Sequence, residues 1–149
     1  MMMVMKKIIL TSLLVLLTIP IGFALAQGHP CENPFTSGND KIIGDESDNT
    51  LCGQKGNDKI IGAGGDDLMI GGPGNDMIIG GPGNDIFIDG PGKDVLIGGG
   101  GDDVFNLSHP NDGTDRVNCG GGEDTVFIKS LQELEENVIS KNCENIILV

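Results

Sequence analysis

The sequence predicts an all-β solenoid, two parallel sheets wound from coils of 18 residues. Three observations point there. Aspartate recurs every nine residues at Asp58, Asp67, Asp76, Asp85, Asp94 and Asp103, with Asp40 upstream in the same register. Each nine-residue unit has a turn half of Gly, Pro, Asn and Asp and a mostly apolar half of three residues, as in Gly80-Gly81-Pro82-Gly83-Asn84-Asp85-Ile86-Phe87-Ile88. Position 8 is apolar in all ten units: Ile42, Leu51, Ile60, Met69, Ile78, Phe87, Leu96, Phe105, Val117 and Val126.

Three residues make a short strand whose middle side chain faces one way and whose flanks face the other. Two units therefore make one coil of turn, strand, turn, strand, with position 8 pointing between the two sheets. A helix would pay at every turn for glycine at positions 1, 2 and 4.

Taken in order, residues 1–26 read as a secretory signal. Lys6 and Lys7 precede an apolar run from Ile8 to Ile19, Pro20 ends it, and Ala24-Leu25-Ala26 supplies small residues for cleavage after Ala26. The run is short for a membrane span, and no second one follows. Residues 27–34 are expected to cap the first coil and residues 35–127 to form the solenoid. One three-residue insertion near Leu107-Ser108-His109 separates Asp103 from Asp115, after which Asp124 restores the step of nine. Residues 128–149 should close the far end. Ser130-Leu131-Gln132-Glu133 reads there as a helix start with a capping box, and Asn145 to Val149 as a final strand.

The formal charge is −13, with no Trp, no Tyr and only 5 Phe. Such a surface suits neither nucleic acid nor base stacking. With 25 glycines the chain is costly to order unless the glycines recur in phase. Turns 18 residues apart become stacked neighbours. One edge carries Asp40, Asp58, Asp76, Asp94 and Asp115; the other carries Asn49, Asp67, Asp85, Asp103 and Asp124. Stacking aligns like charges along each edge at roughly 5 Å, the spacing of neighbouring strands. The expected remedy is calcium, which takes carboxylates and carbonyls in a forgiving geometry.

The units resemble the GGxGxDxUx nonapeptide of RTX (hemolysin-type) calcium-binding proteins, and Gly80 to Ile88 fits at every defined position. That resemblance implies a parallel β-roll. It also implies that each ion takes the carbonyls of positions 2 and 4 and the Asp of the earlier turn, with the carbonyls of positions 1 and 3 and the Asp of the later one. For the Asp76/Asp94 pair these are Gly72, Gly74 and Asp76 with Asp89, Pro91 and Asp94. Carried along the roll, the candidate ligands also include Gly56, Gly65, Gly71, Pro73, Gly80, Gly81, Pro82, Gly83, Gly90, Gly92, Gly98 and Gly100, beside Asp40, Asp58, Asp67, Asp85, Asp103, Asp115 and Asp124. Proline at 73, 82 and 91 suits a role needing only a carbonyl. Up to eight inter-turn sites can be written. The turn Asp45-Glu46-Ser47-Asp48-Asn49 lacks both the turn glycines and the charged ligand, so its site is expected to be weak or absent.

Cys31, Cys52, Cys119 and Cys143 lie in or beside the caps, and exported chains oxidise their thiols. Cys31–Cys52 and Cys119–Cys143 are the expected pairs because each joins a cap to the roll. A zinc site is the alternative. His29 and His109 stand isolated. No Ser/His/Asp set is suggested, and the repeated acids look structural. The expectation is thus a non-enzymatic, secreted calcium-binding module; the competing reading is the scaffold of a small secreted hydrolytic enzyme. Positions 7 and 9 face outward yet are apolar across the middle coils (Ile79, Ile97, Ile70, Ile88), which predicts self-association or an extracellular surface partner.

Overall fold

The computed structural model describes residues 8–9, 31, 37–107, 113–130 and 137–149. In chain order the strands are β1 (Ile8–Ile9), β2 (Lys41–Ile43), β3 (Thr50–Cys52), β4 (Lys59–Ile61), β5 (Leu68–Ile70), β6 (Met77–Pro82), β7 (Ile86–Ile88), β8 (Val95–Gly100), β9 (Val104–Leu107), β10 (Arg116–Gly121), β11 (Thr125–Ile128), β12 (Val138–Ile139) and β13 (Asn145–Leu148). No helix occurs among the described residues, and so none long and apolar enough to cross a membrane.

Alternate strands go to opposite sheets. One sheet runs β12-β10-β8-β6-β4-β2 and the other β1-β13-β11-β9-β7-β5-β3. Every pairing is parallel and, apart from β1 beside β13, steps by one coil: Ile60 lies beside Ile78, and Ile78 beside Leu96. The insertion does not disturb this register. Leu96 pairs with Val117 and Phe105 with Val126, so position 8 still meets position 8. The roll is therefore the two-sheet parallel solenoid that the periodicity predicts.

The core is the row of position-8 side chains. All ten are buried, and seven of them, from Ile60 to Phe105 and Val126, are fully so. Phe87 and Phe105 stack with ring centroids 4.5 Å apart. Ile146 continues the row beyond Val126, and Leu107 and Ile128, two residues after position 8, form a short second row beside it. The strand flanks behave differently. Ile79, Ile97, Ile70 and Ile88 are half-buried, while Ile43, Met77 and Val138 on the six-stranded sheet are exposed.

Several strands exceed the three residues expected: β9 and β11 reach four, and β6, β8 and β10 reach six. β6, β8 and β10 run on into their turns, with Gly81 beside Gly99 and Gly99 beside Gly120. Stacked turns of identical shape can continue the ladder, since one backbone repeats the other.

Both expected cysteine pairs form. Cys31–Cys52 has its Cα atoms 5.7 Å apart and Cys119–Cys143 5.3 Å apart. No free cysteine remains among the described residues, which removes the zinc alternative. The final strand is present as Asn145–Leu148. The expected helix at Leu131-Gln132-Glu133, both histidines, most of the N-terminal cap and the body of the insertion lie outside the described residues. Of the expected signal segment only β1 is described, lying parallel to β13.

Candidate metal centres

The sites are built from the turns. On each edge the backbone N–H of one aspartate donates to Oδ1 of the aspartate one coil later. Asp58 donates to Asp76 at 2.8 Å and Asp76 to Asp94 at 2.7 Å. On the other edge Asp67 donates to Asp85 at 2.9 Å and Asp85 to Asp103 at 2.8 Å. The ladder crosses the insertion from Asp94 to Asp115 and from Asp103 to Asp124, both at 2.9 Å.

That bond uses one carboxylate oxygen and leaves the other. Oδ2 of Asp40, Asp58, Asp67, Asp76, Asp85, Asp94, Asp103 and Asp124 is buried without a hydrogen-bond partner. A buried polar atom left unpaired is costly, and eight in two rows mark a missing partner. Because the atoms are anionic oxygens, the partner is a cation.

The glycines place further oxygens beside them. Gly90 (φ +122°) and Gly101 (φ +125°) adopt a backbone conformation that L side chains rarely reach. A Cβ at either would also run into a carbonyl of the preceding turn, that of Gly72 or Gly83. Carbonyls at positions 2 and 4 thus face along the edge toward the next turn. The carbonyls of positions 1 and 3 accept backbone bonds from the preceding turn: Asp89 from Gly72 and Pro91 from Gly74, both at 2.9 Å. A carbonyl oxygen has a second lone pair, so these atoms retain accepting capacity. No three His, Cys, Asp or Glu side chains converge among the described residues. Each turn except that of Asn49 supplies one ladder carboxylate, so two stacked turns would offer two Asp plus carbonyls, an all-oxygen set suited to a hard cation.

Burial dominates the electrostatics of the metal-free carboxylates. It pushes Asp94 up to about 8, Asp103 to about 7, and Asp76 and Asp85 to about 6. The backbone N–H bond opposes each shift, and neighbouring ladder carboxylates add to it. Asp58, Asp67 and Asp124 move the same way for the same first cause. A raised carboxyl pKa means the metal-free roll binds more protons than the unfolded chain, so its stability falls as pH rises from about 4 through about 6–8. Two results are expected. In metal-free buffer the β content at pH 5 exceeds that at pH 8. The calcium concentration for half-saturation, followed by circular dichroism, is higher at pH 5 than at pH 8.

The Asn49 turn is closed differently. Asn49 Oδ1 accepts from the N–H of Asp45 at 2.8 Å, and Ser47 N–H donates to the Asp45 carboxylate at 2.9 Å. The Ser47 N–H, joined by Asn49 Nδ2 donating to Asp45 Oδ1 at 3.3 Å, holds the Asp45 carboxyl below its usual range. The side chain that would complete a site is tied within its own turn.

Position 5 carries a second ladder that the periodicity reading passed over. Asn57 N–H donates to Asn39 Oδ1, and Asn75 N–H to Asn57 Oδ1, both at 2.8 Å. Asp66, Asn84 and Asp102 continue it on the other edge. It runs opposite to the aspartate ladder, with each side chain accepting from the next coil instead of the previous one. The signal was visible, since position 5 is Asn or Asp in most units.

Stacked Gly-Asp turns with rows of orphaned anionic oxygens define a parallel β-roll with cation sites along its two edges. The family described as RTX calcium-binding nonapeptide repeat (4 copies) matches residues 36–60, 43–78 and 79–107. Residues 36–107 are therefore repeats of that family, and calcium is the cation it implies. No curated protein matches the chain.

Proposed function

We propose that the chain is a secreted module, structural or binding rather than catalytic, whose β-roll is held folded by calcium between stacked turns. The carrying observation is the pair of Oδ2 rows. A fold with that many uncompensated buried oxygens needs cations to complete it, and calcium sites of extracellular modules bind with a Kd of roughly 10⁻⁴–10⁻³ M. The two disulfides and the signal-like N-terminus support export. Every buried carboxylate among the described residues lies in a turn on one of the two edges, which supports a structural use of the acids over a hydrolytic one. Expression from the native leader tests the reading. The product should be recovered outside the cytoplasm, oxidised, with its N-terminus at Gln27. An unprocessed, reduced protein inside the cell would contradict it.

A second copy of the chain is the partner we assign to the later coils of the six-stranded sheet's outer face, where Met77 and Val138 are exposed. Lys41 and Lys59 sit at its first coils and keep that end solvated. Sedimentation in calcium at tens of micromolar should show association of the wild type and a monomer for Ile79→Lys. A monomeric wild type would rule this contact out.

A further inference from the structure

Neither aspartate ladder stops with the last repeat. Asp115 N–H donates to Asn137 Oδ1 at 2.9 Å, and Asp124 N–H donates to Glu144 Oε2 at 3.0 Å. Each acceptor occupies the place that the next aspartate takes inside the repeats. The two ends differ chemically: Asn137 is neutral, whereas Glu144 is a carboxylate. Beside Glu144, Asp124 is fully buried and its Oδ2 has no hydrogen-bond partner. A buried ladder aspartate with an unpaired oxygen therefore faces a second carboxylate once more, the exposed Glu144 of the C-terminal cap, beyond the residues matched to the repeat family.

The cap turn is also fastened to the turn it faces. Cys143, directly before Glu144, is bonded to Cys119, the first residue of the Asp124 turn. Asn142 Nδ2 donates to the Gly120 carbonyl at 2.7 Å and to Asn118 Oδ1 at 3.0 Å. Directly after Glu144, β13 pairs with β11, Asn145 beside Thr125. The backbone on both sides of the exposed Glu144 is thus fastened to the Asp124 turn in the folded chain, which lowers the ordering cost of binding there.

We propose that Asp124 and Glu144 hold a further calcium ion between the last repeat turn and the cap, completed by backbone carbonyls and water. This rests on the reading that the repeats bind calcium. The neutral Asn137 leaves the opposite edge without an equivalent anionic pair.

Counting ions by native mass spectrometry at saturating calcium tests it, with calcium alone as the probe. Glu144→Gln can still accept the Asp124 N–H but lacks the charge, so it should bind one ion fewer than wild type. Glu123→Gln removes the same charge from the exposed residue next to Asp124 and should leave the count unchanged. A crystal structure of the calcium-loaded wild type decides the matter if Glu144→Gln does not fold: anomalous density between Asp124 and Glu144 supports the site, and its absence overturns it. An unchanged count in Glu144→Gln, or an equal loss in Glu123→Gln, also overturns it while leaving the repeat sites standing. A wild type that binds no calcium removes both readings.

Discussion

Asp76→Ala and Asp85→Ala should each shift the calcium-induced folding midpoint far more than Asp40→Ala. The central residues border two inter-turn sites each, one before and one after, and Asp40 borders one. At free calcium about 100 times a site's Kd, one ion stabilises the fold by about 2.7 kcal/mol. Two lost ions cost about 5 kcal/mol, comparable with the whole stability of a small domain. The hydrogen bonds widen the difference. Asp76 Oδ1 accepts the buried N–H of Asp58, and Asp85 Oδ1 that of Asp67. Removing either acceptor leaves a buried donor unpaired, at about 1–3 kcal/mol. The Asp40 side chain stands at the start of its ladder among the described residues. Calcium titrations followed by circular dichroism should place the two central variants together, well above Asp40→Ala. Equal midpoints for all three would contradict the shared-ligand arrangement.

The second large effect separates two adjacent glycines. Gly101→Ala should abolish or severely weaken calcium-induced folding, while Gly100→Ala should be nearly neutral. Gly101 has φ +125°, and a Cβ there would collide with the Gly83 carbonyl. The conformation alone costs about 1–3 kcal/mol for a non-glycine residue, and the collision displaces an oxygen that faces the neighbouring turn. At Gly100 a Cβ meets nothing within 4 Å. Its carbonyl still accepts the Gly83 N–H at 2.8 Å, a bond that a side chain leaves alone. The contrast is measured by thermal unfolding at fixed calcium. Loss of stability at Gly100 comparable with that at Gly101 would mean the turn is packed differently.

These pairs show why some of the structure was legible and some was not. Stacking forces every coil to repeat, so a requirement at one turn is written again 18 residues on, in the turn that stacks on it. The position-8 row and the register of Asp58 to Asp103 could be read for that reason, and Leu96 still meets Val117 across the insertion. The direction of each side chain is another matter. That Asp76 offers Oδ1 to Asp58 while Asn57 offers its oxygen to Asn75 is decided between stacked coils. Periodicity along the chain carries no such information. The ends are illegible for a related reason. Asn137 and Glu144 occupy ladder positions without belonging to any nine-residue unit, and only the three-dimensional path brings them there. The run of β6 into Gly80, Gly81 and Pro82 is likewise a consequence of identical turns stacking, not of strand propensity.

The central claim is that calcium completes this fold. Far-ultraviolet circular dichroism of the oxidised chain, cleaved after Ala26, tests it most directly, with spectra at pH 7.5 in excess chelator and in roughly millimolar calcium. The buried Oδ2 rows predict a largely disordered spectrum in chelator and a β spectrum once calcium is added, reversible on its removal. A β spectrum that is the same in both conditions would contradict the account.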